Sequence, residues 1–79
     1  MEDVSYLNEQ TKLAMKLSEI VVNLMRQKDP RLGEIVSFFN AAVALQPKVT
    51  PKLERIYAAN VRLVNYLEMR YPDLYDTLK

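Results

Sequence analysis

No cysteine and no histidine occur among the 79 residues of this chain, and glycine occurs once. Without cysteine there is no disulfide and no thiolate ligand. Without histidine the commonest metal ligand and the commonest general base are both missing. A lone Gly33 cannot form the glycine-rich loop that cradles a phosphate. There is no Asp-x-Asp pattern of the kind that would seed an all-oxygen metal site, and Ser and Thr have no neighbouring base to activate them. The inventory therefore predicts no catalytic residues, no metal, no cofactor and no small-molecule substrate, and a protein that is not an enzyme.

A chain of 79 residues makes one domain, and a core of that size is marginal. Small domains compensate with disulfides, metals or oligomerisation. The composition closes the first two routes and leaves the third. The N-terminus, MEDVSYLNEQ, is acidic and polar, the reverse of a signal peptide's opening. No apolar run reaches the length of a membrane helix. The expected location is cytoplasmic, with no membrane partner.

Charge is also missing from one stretch. Charged residues make up 27% of the chain, yet the thirteen residues Ile35 to Pro47 contain none. A surface helix normally offers water a polar face, so this segment is expected to be covered on more than one side.

The breaks divide the chain into helices. The first is predicted over about residues 4–28, with Leu13, Leu17, Ile20 and Leu24 on one face at alternating spacings of four and three. Ala14, Val21 and Met25 widen that face, and Met15 and Val22 lie well round from its centre. Asp29-Pro30 reads as an N-cap followed by a first-turn proline. A second helix is predicted over about 30–46, its main ridge Leu32, Val36, Phe39 and Val43, flanked by Ile35 and Ala42. Phe38 and Leu45 lie further round, and Gly33, Ser37, Asn40, Ala41 and Ala44 make a small, neutral remainder. Thr50-Pro51 repeats the cap signal before a third helix over about 51–70, with Leu53, Tyr57, Asn60, Val64 and Leu67 in a row. Pro72 ends it or restarts a short turn over 72–78. The fold expected is an all-α, single-domain bundle of three helices in up-down-up order across 1–79, closed by a C-terminal turn and associating as a dimer.

Surface features then suggest partners. If the Leu32–Val36–Phe39–Val43 ridge fills the core, then Phe38, Ala41 and Leu45, together with Met15 and Val22 of the first helix, are left as apolar surface for a partner. Phe38→Asp should then dissociate an oligomer or unfold the chain. Asn60, and Asn40 in the same way, interrupts apolar surface, as a buried Asn does when it fixes register in a coiled coil. The plain alternative is an amide at the bundle edge, bonded to water. On the third helix Lys48, Lys52, Arg55, Arg62, Tyr66 and Arg70 share a sector roughly 80° wide that contains no acid of that helix. Residues 48–71 carry a net charge of +3 in a chain whose total is +1. Such a face could follow a phosphate backbone with Tyr66 stacked on a base, meet an acidic protein partner, or simply keep the protein soluble. Tyr71-Pro72-Asp73-Leu74 resembles the Tyr-Pro-x-Leu docking motif of viral late domains. A four-residue match arises readily by chance, and Leu74 and Leu78 are expected to pack the end of the bundle instead.

Two readings follow. The first is a protein–protein interaction module, an adaptor, chaperone-like or accessory subunit, that pairs with itself or with another helical protein. The alternative is a small dimeric nucleic-acid-binding regulator using the basic face of the third helix.

Overall fold

A computed structural model describes residues 4–79. It contains α1 (Val4–Gln27), α2 (Arg31–Leu45), α3 (Lys52–Arg70) and a one-turn α4 (Pro72–Asp76), with no strand among the described residues. None of these helices is long and apolar enough to cross a membrane.

The corner between α1 and α2 is set by local chemistry. Lys28 takes the left-handed conformation at φ 53°. The Asp29 N–H donates to the Leu24 carbonyl at 2.9 Å and the Lys28 N–H to that of Met25 at 3.2 Å, which is the Schellman pattern of a helix end. The Asp29 carboxylate then accepts the Arg31 N–H at 2.9 Å and caps α2, as the Asp-Pro signal predicts. The second signal behaves differently. No side chain caps α3, which starts at Lys52 after an extended Pro51, so Thr50 does not have the expected role. Tyr71 breaks α3 with φ −136°, and Pro72 opens α4.

The α2 and α3 helices share the most extensive packing, antiparallel, with Glu34 beside Tyr71 and Phe38 beside Tyr66. The α1 helix touches both more sparsely. Its 24 residues, about 36 Å of helix at 1.5 Å per residue, account for most of the 41 Å long axis. The core is Leu17, Ile20 and Leu24 of α1, Ile35 of α2, and Leu63 and Leu67 of α3. Leu74 and Leu78 pack against it from the C-terminal turn.

The α1 line matches the sequence pattern; the rotation of α2 does not. The residues buried on α2 are Ile35 and Ala42, with Phe38 packed against the core beside them, while Val36 stays 40% exposed. The apolar arc of α2 spans so much of the helix that periodicity could not choose its inner edge. The ridge expected to fill the core forms its margin, with Leu32 and Phe39 packed against it. The flanking Ile35 and Ala42 form its centre, and of the three residues expected to be spare only Phe38 packs inside, while Ala41 and Leu45 stay exposed.

Candidate functional site

Two features stand out. The first is an open apolar groove of about 420 Å³ where α1, α2 and α3 meet. Its α1 wall is Ala14, Ser18, Val21 and Val22, its α2 wall Val36 and Phe39, and its floor Ile56, Asn60 and Leu63 of α3. The α2 helix packs more extensively on α3 than on α1, and Ile35 lines the groove between them. Val36 and Phe39, roughly 100° and 40° round the helix from Ile35, face the gap. A second trough of about 490 Å³ continues along α1 past Thr11, Ala14, Met15 and Ser18, over Leu53, Ile56 and Tyr57.

Asn60 is only 4% exposed, and its Nδ2 has no hydrogen-bond partner. A buried, unmatched donor costs about 1–3 kcal/mol, and this one lies in the floor of a groove whose other lining residues, Ser18 apart, are apolar. The edge position open to water is thus corrected: Asn60 is interior. Asn40 is exposed on α2, so the two amides do not pair.

The second feature is a polar network where α2, α3 and α4 join. The Glu34 carboxylate accepts the Tyr66 hydroxyl, the Tyr71 hydroxyl at 2.9 Å and the Arg70 Nε–H at 3.3 Å. Arg31 forks onto Asp29 at 2.8 Å and reaches Asp73 at 2.9 Å, tying α2 to α4. The guanidiniums of Arg31 and Arg70 each lie 5.2 Å from the centre of the Tyr71 ring. The Tyr66 hydrogen bond above all, then that of Tyr71, holds the Glu34 carboxyl below its ordinary value. The same carboxylate pushes both tyrosine hydroxyls up. Each shift moves its group away from neutral pH, the opposite of what general acid–base chemistry uses. The network locks the fold.

This lock changes the basic face. Tyr66 is half-buried, stacked on Phe38 and bonded to Glu34, so it is not free to stack on a base. Arg70 is paired with the same carboxylate. The acid missing from the sector in sequence is supplied by α2 in space. Lys48, Lys52 and Arg62 are exposed, and Arg55 is half-buried with its Nε unpartnered. None of these four forms an ion pair with a described residue.

Among the residues expected at a partner interface, Phe38 is half-buried, packed against the core and stacked on Tyr66 within the chain. Ala41 and Leu45 are exposed but line neither trough, whereas Met15 and Val22 are exposed and line them. Of the groove residues only Val22 was expected at a partner interface, and Asn60 as a register-fixing amide; Val36 and Phe39 were expected in the core. Among the described residues no group of His, Cys, Asp or Glu could hold a metal ion. Compared with known protein families, characterised proteins and solved structures, the chain matches none.

Proposed function

We propose that this chain is a non-enzymatic protein–protein interaction module, acting as a homodimer or as one half of a heterodimer, and that it docks a helical partner over the groove between α1, α2 and α3. The observation that carries the reading is the groove itself. It is open, walled by the exposed Val22 and Val36, and floored by a buried amide that lacks a partner. Covering such walls contributes about 25 cal/mol per Å² of apolar surface removed from water, a useful addition for a domain of this size. Helix-in-groove docking needs an apolar concave surface of this kind.

Native mass measured from low to high micromolar concentration tests the reading. Any assembly should be lost in Val36→Asp, a change at an exposed rim position that leaves the helical circular dichroism intact. An assembly that survives Val36→Asp undiminished contradicts it.

The nucleic-acid reading is carried by the four cations on the α3 side that form no ion pair with a described residue. It predicts retention of a nucleic-acid probe that weakens steeply with salt. Arg62→Glu with Lys52→Glu would abolish that retention; absence of retention at low salt removes the reading.

A further inference from the structure

The α1 helix carries a second line besides the buried one. Thr11, Met15, Ser18, Val22 and Met25 recur at spacings of four, three, four and three, the a/d repeat of a paired helix. All five are exposed, Met15 by 61% and Met25 by 59%. The two edges of this line differ. Ala14 and Val21, on one edge, line the groove. On the other edge Lys12, Glu19 and Arg26 follow one another at intervals of seven, in the order plus, minus, plus, with Glu19 at the rim of the second trough. None of these three forms an ion pair with a described residue.

This pattern selects an arrangement. A parallel pair would set the charged edge of one helix against the apolar edge of the other. An antiparallel pair sets like edges together, apolar with apolar and charged with charged. Of the antiparallel registers, one opposes Glu19 to itself and Lys12 to the partner's Arg26, and is repulsive. Another matches Glu19 with the partner's Arg26 but overlaps only about two turns of helix. The third matches Lys12 with the partner's Glu19 twice over and overlaps almost all of α1. It sets Met15 against the partner's Ser18 and Thr11 against the partner's Val22.

We infer that the occupant of the groove is a second copy of this chain, bound with α1 antiparallel to α1 in the third register, its two-fold axis passing between Met15 and Ser18. This rests on the groove being an association surface, as proposed above. The charge pattern and the groove agree on the geometry. With the charged edges together on the outside, the apolar edges of both copies fall on the other side, where their grooves join into one enclosed interior. A two-fold contact of this kind is self-complementary and closes at the dimer.

The absence of cysteine makes a direct test available. In this register Met15 of one copy lies opposite Ser18 of the other, so a mixture of Met15→Cys and Ser18→Cys chains should form a covalent dimer under mild oxidation. Met25→Cys, at an equally exposed position, should not: its two copies lie about 25 Å apart at 1.5 Å per residue, beyond the reach of a disulfide. Lys12→Glu and Glu19→Lys should each weaken the dimer about tenfold, since both symmetric pairs turn repulsive. The double reversal should restore it at unchanged net charge. Efficient cross-linking through Met25→Cys, or singles without effect, overturns the register. If Val36→Asp still abolishes association in that case, the groove reading stands. If association ignores Val36→Asp as well, both fall. A chain that stays monomeric at every concentration overturns the second-copy inference.

Discussion

The ring of Phe38 lies nearly parallel to that of Tyr66, with centroids 4.1 Å apart and 16° between their planes. This contact joins α2 to α3 and turns two presumed surface residues into structural ones. Phe38→Ala should therefore destabilise the chain by about 2–4 kcal/mol, as aromatic truncations in packed sites do. Val36→Ala, two residues earlier, roughly 160° round the helix and 40% exposed, should change monomer stability by no more than about 0.5 kcal/mol. Urea titration of both variants checks the order; equal losses would contradict the rotation of α2.

The Glu34 network makes stability depend on pH in a defined direction. Hydrogen bonds from Tyr66, then Tyr71, depress the Glu34 carboxyl below its ordinary 4.5, and Arg31 likewise depresses Asp29 and Asp73 below 3.8. A group depressed on folding contributes stability above its unfolded value and loses it as pH falls through the folded one. Tyr66 and Tyr71 are raised above 10.0, so their share is lost as pH rises past that value. Thermal melting across pH should show a plateau around neutrality with an acid limb, and Glu34→Gln should lower the plateau and flatten that limb. An acid limb unchanged by Glu34→Gln would place the titrating groups elsewhere.

Two backbone positions are not at their optimum. Lys28 holds a left-handed conformation that glycine adopts freely, so Lys28→Gly should stabilise the chain by about 1 kcal/mol. Gly33 sits inside α2 facing open space, where an added Cβ meets nothing within 4 Å. Gly33→Ala should add about 0.5–1 kcal/mol. Chemical denaturation of the two single variants and of the pair should show gains that add. A loss at Gly33→Ala would reveal a close contact on the outer face of α2.

Asn60 tests the groove from below. Replacing its buried, unmatched amide with Asn60→Leu should stabilise the monomer by about 1–2 kcal/mol. A destabilised Asn60→Leu would mean that the amide is fully bonded in solution.

Much of the architecture was legible in the sequence, because short-range chemistry decides it. Asp29-Pro30 marks the α1–α2 corner, Pro72 marks the end of α3, and the strict spacing of Leu13, Leu17, Ile20 and Leu24 gives α1 one buried line. The rotation of α2 was not legible. With no charge between Ile35 and Pro47, nothing in the pattern says which apolar residue faces inward, and only tertiary packing against the other helices selects Ile35 and Ala42. Glu34 escaped notice for a different reason: its partners, Tyr66, Arg70 and Tyr71, lie more than thirty residues away. The basic face was therefore overcounted, and the groove, built from three helices at once, could not appear in any single one.

Association through the groove between α1, α2 and α3 has a local signature at single residues. Backbone amide spectra recorded from dilute to high micromolar concentration test it most directly. Concentration-dependent shifts are expected at Ala14, Ser18, Val22, Val36 and Phe39, with the outer face of α3 around Lys52 and Arg62 silent. Shifts clustered on that outer face while the groove residues stay unchanged would contradict it.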